Sequence, residues 1–493
     1  MHRPLRKMVF CCAILCMFLS DVLLSWPKSL PGASNNGRAA RVEAGLLSAF
    51  LIEDRPVAKR PIQERMAYYK VPGVTVAVLD KGQIDWASGY GVCETGGASV
   101  TEHTLFQAAS ISKPVAALAA LRLVEQKKLS LDEDINIYLK SWKIPKSDAL
   151  GDKKVTLREI LTHSAGLGVH GFRGYAQGEP VPTLLQILNG EKPANSGPIR
   201  VEIPPLTRWE YSGGGYTILQ QTMIDVAGKP FVDLMRDLAL RPLHMEDSTY
   251  EQPLPDKLLV RAAAGYRSNG NVVSGRRHTY PEQAAAGLWT TPTDLLKFAA
   301  ELQRAYAGRS GLLPRSVAEQ MLRRQFETWG LGLQIDGEGD TLRFSHSGGN
   351  EGFRCFLVAY ANRGQGAAIM TNSDAGPSLY NEILRAIAVE YGWPDFQPVH
   401  KKSIALPPEA LLQYIGQYEV QPGQRISVRA QNGSLFVRGG AEETEIVPES
   451  ETKFFSENGA EFTFLRDARG VATELRGRIS GREIIAKKTA AQP

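Results

Sequence analysis

The stretch Pro114-Val-Ala-Ala-Leu-Ala-Ala-Leu-Arg-Leu-Val-Glu125 predicts a helix with apolar side chains on nearly every face. A helix without a polar face has to be surrounded by protein, so the chain must build a large core around it. Pro114 fits such a helix only in its first turn, where the missing N–H costs nothing. The helix therefore begins close to Ser110, and Ser110 and Lys113, three residues apart, share one of its faces. A lysine amine held away from water loses proton affinity and, once neutral, can accept a serine proton. The positive end of the helix favours negative charge developing at Ser110. An activated serine is one reading of Phe106-Gln-Ala-Ala-Ser110-Ile-Ser-Lys113, and an ordinary N-capping serine is the other. The same spacing at Ser25 with Lys28 and at Ser450 with Lys453, where no buried helix follows, shows that spacing alone does not decide.

The 493 residues exceed the roughly 250–300 that one core serves, so more than one domain is expected. Strand patterns occupy Gly73–Asp80 and Gln83–Gly91, joined by a Lys81-Gly82 turn, and return at Phe344–Gly349, Phe353–Tyr360 and Gly366–Thr371. Between them lies a mainly helical section from Thr104 to Arg324, and a helix over Leu379–Tyr391 closes the unit. Strands at both ends of a helical block are most economically reunited in one sheet. An α/β unit over residues 42–392 is therefore expected, with a helical lobe and a cleft between lobe and sheet. Residues 393–408, with Pro394, Pro398, Pro407 and Pro408, read as a linker. Residues 409–493 alternate short strands with glycine turns, Asn432-Gly433 among them, and predict a small all-β, barrel-like domain. This tail holds no obvious catalytic set, so it is expected to shape substrate access or to mediate oligomerisation.

The start of the chain differs from the rest. His2, Arg3, Arg6 and Lys7 precede an apolar run from Met8 to Leu19, which reads as a secretory signal within residues 1–33. If Val22–Trp26 is added, the alternative is an uncleaved N-terminal membrane anchor. A periplasmic or secreted protein is expected. Cys11, Cys12 and Cys16 fall in the leader, leaving Cys93 and Cys355, as one disulfide or as two free thiols. The net charge of +5 is small and spread along the chain, which gives no case for nucleic-acid binding. Neither C-x-x-C nor H-E-x-x-H occurs, so the common zinc signatures are missing.

Three further segments carry candidate chemistry. In Trp209-Glu-Tyr211-Ser-Gly213-Gly-Gly-Tyr216, a tyrosine followed by three glycines can reach into a cleft, or is a core aromatic beside a flexible turn. In Phe344-Ser-His346-Ser-Gly348-Gly349-Asn350, a small-residue strand edge can offer backbone N–H groups to an oxyanion and His346 to a substrate. The plainer reading is an edge strand with a solvated histidine. In Leu161-Thr-His163-Ser-Ala-Gly166-Leu167 an apolar helix stops at a glycine, and His163 reads as a structural hydrogen-bonder.

Taken in this order, the segments resemble the serine β-lactamase and penicillin-binding-protein superfamily, on its class C and D-Ala-D-Ala carboxypeptidase side, over roughly residues 60–392. Ser110-Ile-Ser-Lys113, Tyr211-Ser-Gly213 and His346-Ser-Gly348 match that family's S-x-x-K, Y-x-N and K-T-G or H-x-G elements. The tail is similar to the lipocalin-like domain appended to some members. The resemblance implies Ser110 as nucleophile through an acyl-enzyme, Lys113 and Tyr211 sharing acid–base work, and the N–H groups of Ser110 and Gly349 as oxyanion hole. Gly213, His346, Gly348 and Gly349 would border the substrate, a small molecule or short peptide, and neither metal nor organic cofactor is implied. Two positions depart from the pattern. Gly213 stands where an asparagine is common, and His346 where β-lactamases carry a lysine that pairs with the substrate carboxylate. Arg354 is the nearby candidate to compensate, a solvated arginine being the other reading. Both departures shift the expectation from β-lactams toward esters or D-amino-acid amides. The opposing class is a catalytically weak sensor that binds penicillin or peptidoglycan peptides. An α/β-hydrolase is disfavoured because no G-x-S-x-G occurs.

Overall fold

Both faces of the strand Gly73–Asp80 are covered by protein: Val74, Val76 and Val78 join one apolar cluster, Ala77 and Leu79 another. Burial on two sides is why this strand reads as an almost continuous apolar run. It lies inside a six-stranded antiparallel sheet in the computed structural model, which describes residues 36–439, 443–479 and 482–489. The strand order is Gln83–Gly91, Gly73–Asp80, Gly366–Thr371, Phe353–Tyr360, Arg343–Asn350 and Gln334–Asp336. The strands from the two ends of the unit thus meet as expected, with Gly73–Asp80 directly beside Gly366–Thr371. On one face pack the helices Asn36–Ala44, Ile62–Tyr69 and Gly376–Glu390. On the other lies the helical lobe, including Ser112–Glu125, Gly213–Ala227 and Pro292–Tyr306. In Ser112–Glu125 every residue from Ser112 to Leu121 is buried, as a helix without a polar face requires. The leader lies outside the described residues. Cys93 and Cys355 are both free thiols.

The C-terminal domain is a closed eight-stranded antiparallel barrel running from Gly416–Gln421 to Arg482–Lys488. Its lumen is filled by side chains: Phe464 touches Tyr414, Tyr418 and Phe454, with ring centroids 4.9–5.8 Å apart. The segment read as a linker is an ordered strap. Val399–Lys401 pairs in parallel with Phe50–Ile52, and Trp393 is buried among the helices. The barrel docks on this strap. Phe50 meets Phe455 edge-on at 5.7 Å, the Lys401 ammonium lies 2.8 Å from Glu461 and 3.2 Å from Glu449, and Arg60 pairs with Glu457 at 2.9 Å.

The helices under the strap are pinned by one buried ion pair. Arg65 donates to Glu382 through Nε at 2.7 Å and Nη2 at 2.8 Å, and the Tyr69 hydroxyl donates to the same carboxylate at 2.7 Å. Removing the guanidinium leaves a buried carboxylate uncompensated, which typically costs about 3–5 kcal/mol. Arg65→Ala should lower the unfolding free energy by that amount in urea melts. Arg65→Ala combined with Glu382→Leu should recover most of it.

Candidate active site

Ser110 occupies a 3-10 turn, Ala109–Ile111, that runs directly into the helix Ser112–Glu125. No side chain caps that helix, so Ser110 is not an N-cap. Its hydroxyl oxygen instead accepts a hydrogen bond from Lys113 Nζ at 2.9 Å. Lys113 is 2% exposed and its ammonium also donates to the Ala285 carbonyl at 2.8 Å, from the short helix Gln283–Ala286. Among the described residues no carboxylate pairs with it. Burial therefore acts unopposed and pushes the amine down to about 7. The turn is held by Ser112, whose hydroxyl donates to the Ala109 carbonyl and accepts from Leu288 N at 2.9 Å. Ala109 has φ +50, a left-handed conformation that a residue with a side chain adopts only when its surroundings impose it.

Tyr211 stands one residue before the cap of the helix Gly213–Ala227, where Ser212 Oγ accepts from Gly215 N at 2.9 Å. The three glycines form the first turn of that helix. A side chain at Gly213 would meet the Phe172 ring at 3.0 Å, so its smallness admits the 168–172 loop. Tyr211 lines the same cleft as Ser110, and its ring lies 5.0 Å from Lys113 Nζ. Burial raises the phenol well above its ordinary pKa, with the neighbouring Ser110 hydroxyl only partly opposing this, so Tyr211 is neutral at neutral pH. His163 grips the chain on both sides of it: its carbonyl accepts from Glu210 N at 2.9 Å and its Nδ1 from Ser212 N at 3.1 Å. Its ring lies 4.3 Å from that of Tyr211. It is the scaffold histidine expected, although the preceding helix ends at Leu161 rather than at Gly166.

The third element is the strand Arg343–Asn350. Its outer neighbour pairs with it only as far as Ser345, so the edge beyond is unpaired. Ser347 and Gly349 on that stretch border the cleft. Gly348 does not. A side chain there would lie 2.2 Å from the Ala108 carbonyl, so glycine is what lets the strand press against the serine turn. Gly213 and Gly348, assigned to the substrate by resemblance, sit behind the cleft and set its spacing. His346 lines the cleft. Its Nδ1 lies 2.6 Å from the Ser347 carbonyl, which can only accept, so Nδ1 carries the proton and the buried Nε2 keeps a lone pair without a partner among the described residues. Burial and the Lys113 charge hold its pKa down at about 3. Arg354 does not compensate for the missing lysine: it pairs with Asp374 at 2.8 Å and donates to the Phe353 carbonyl at 2.8 Å.

Ser110, Lys113, Tyr211 and His346 share one cleft of about 400 Å³. His170, Phe172, Trp209 and Trp329 supply much of the remaining wall, and among the described residues no Asp, Glu or Arg lines it. The roles of Trp329, Phe172, His170 and the Ala285 carbonyl escaped sequence reasoning, because each reaches the cleft only through tertiary packing. No described residue of the barrel lines the cleft, so within one chain the tail does not shape it.

A family model described as Beta-lactamase matches residues 58–391, and a domain of unknown function (DUF3471) matches residues 400–488. The chain belongs to the β-lactamase family. It is a serine hydrolase of that family. It is similar to penicillin-binding protein 4* of Bacillus subtilis (strain 168), 23% identical over 404 residues, covering 77% of this chain and 87% of that one. It is also similar to esterase EstB of Burkholderia gladioli, 25% identical over 340 residues, covering 63% and 82%. Among solved structures, the octameric penicillin-binding protein homologue from Pyrococcus abyssi shares the fold with a TM-score of 0.59 at 22% identity, covering 86% and 98%.

Two outcomes follow from this geometry. The lowered pKa of Lys113 means that its neutral fraction grows as pH rises through about 7. Hydrolytic kcat/KM should therefore fall roughly tenfold per pH unit below that point and level off above it, and Lys113→Met should abolish the limb together with the activity. Gly348→Ala should push the strand off the serine turn, costing about 1–3 kcal/mol in denaturant melts and at least tenfold in kcat/KM.

Proposed function

We propose that the hydrolase acts on uncharged esters or amides, with Ser110 as nucleophile, Lys113 as base and Tyr211 as proton carrier to the leaving group. The observation that carries this reading is the 2.9 Å bond between the Ser110 hydroxyl and an amine that has no carboxylate beside it. With Lys113 neutral, its nitrogen takes the Oγ proton as Oγ attacks the carbonyl carbon. The backbone N–H groups of Ser110 and Gly349 receive the oxyanion, Gly349 from the unpaired strand edge. Tyr211 gives its proton to the leaving oxygen or nitrogen as that bond breaks, and recovers one from the Lys113 ammonium. A water molecule, deprotonated by the same pair, then releases the acid and restores Ser110.

The electrostatics of the cleft support the uncharged class. A carboxylate placed over His346 meets a fixed lone pair instead of a cation, and an unpaired charge taken out of water costs several kcal/mol. A substrate N–H or O–H is what that lone pair suits. The similarity to an esterase fits this reading. The basic, apolar leader of the sequence supports placing the enzyme beyond the cytoplasmic membrane.

The reading is tested by intact-mass detection of acyl adducts with a short-chain ester, a D-amino-acid amide and a penicillin. The ester and amide should acylate the wild type faster than the penicillin, and Ser110→Ala should carry no adduct. His346→Lys should raise penicillin acylation by about tenfold, the worth of one charge-assisted bond, while slowing ester turnover. Equal labelling of Ser110→Ala would overturn the proposal.

A further inference from the structure

One wall of the cleft has no role in the chemistry above. Trp209 and Trp329 lie with ring planes 22° apart and centroids 5.6 Å apart. Neither belongs to any of the apolar clusters that form the core. They come from unrelated segments, Trp209 from the loop before Tyr211 and Trp329 from a turn closed by hydrogen bonds between Phe326 and Trp329. Two stacked indoles from unrelated segments that both border the cleft have the character of a ligand surface.

Their position says which part of the ligand they meet. The Trp209 and Trp329 rings lie 6.1 and 6.0 Å from that of Tyr211, and Trp329 lies 5.5 Å from His346. If Tyr211 protonates the leaving atom, the groups clustered around it flank the leaving group and not the acyl chain. We propose that Trp209 and Trp329, with Phe172 at the rim, form a subsite for a flat aromatic leaving group such as a benzyl alcohol. This rests on the acyl-hydrolase reading. In the step concerned the Oγ–acyl bond forms and the acyl–O(benzyl) bond breaks. The Ser110 proton passes through Lys113 and Tyr211 onto the benzyl oxygen, and benzyl alcohol departs.

The test compares butanoate esters of benzyl alcohol and of cyclohexylmethanol, which share the acyl group and nearly share bulk, so that both pass through one acyl-enzyme. Wild type should favour the benzyl ester in kcat/KM by roughly threefold to tenfold, the usual worth of a ring–ring contact. Trp209→Leu and Trp329→Leu should each bring that ratio toward one, and Trp209→Phe should keep it. Because the ratio is taken within each variant, a general loss of activity does not disguise it. A wild-type ratio near one, or a ratio unchanged in Trp209→Leu, would overturn the subsite. Failure of a fluorophosphonate to label Ser110 in the wild type would instead overturn the hydrolase reading beneath it.

Discussion

A primary amine with no counterion, enclosed by an apolar helix, is the condition on which the site depends. Water would hold Lys113 as an ammonium, and a neighbouring carboxylate would do the same. Here the helix excludes water, no acidic group among the described residues pairs with it, and the amine donates to the Ala285 carbonyl and the Ser110 hydroxyl beside the rings of Tyr211 and Tyr216. Each unit by which its pKa is lowered costs the folded state about 1.4 kcal/mol at pH values below both the folded and the unfolded pKa. The core around the helix has to offset that cost, which is one physical reason for a domain of this size around so few reacting atoms.

The remaining parts converge on that amine from distant segments. The serine turn places a hydroxyl on it, a capped helix start presents a phenol, and an unpaired strand edge closes the third side. Close approach is arranged by smallness at Gly213 and Gly348 and by left-handed backbone at Ala109 and His163. Such conformations persist only where neighbours over-determine them. Ser112 does so for the serine turn, and His163 for the loop that carries Tyr211. The barrel stands apart from this arrangement. Its lumen is packed with aromatic rings and it contacts the hydrolase through Phe50, Arg60 and the strap residue Lys401, so its described residues flank the hydrolase without entering the cleft.

The two departures from the family pattern acquire a common sense in three dimensions. Losing the lysine at position 346 removes a fixed cation, and Arg354, committed to Asp374, does not replace it. Losing the asparagine at position 213 leaves a glycine in the first turn of a helix, where Phe172 lies against it. Where the pattern would place a fixed cation, the cleft wall carries a neutral imidazole and aromatic rings, which is the basis of the proposed preference for uncharged substrates.

The sequence by itself determined much of this: the buried helix, the pairing of Ser110 with Lys113, the reunited sheet, the all-β tail, and the order of segments by which the family was recognised. Those features are local, resting on periodicity, on i to i+3 spacing or on glycine turns, and local patterns survive in one dimension. It did not reveal that residues 393–408, read as a linker, include a strand paired with Phe50–Ile52, because that pairing depends on a distant partner. Only the tertiary structure decided that Gly213 and Gly348 are spacers, that His346 is a neutral acceptor, and that two tryptophans far apart along the chain stack at the cleft. Tautomer, desolvation and ring stacking are properties of an enclosure, and the enclosure exists only after the chain has folded.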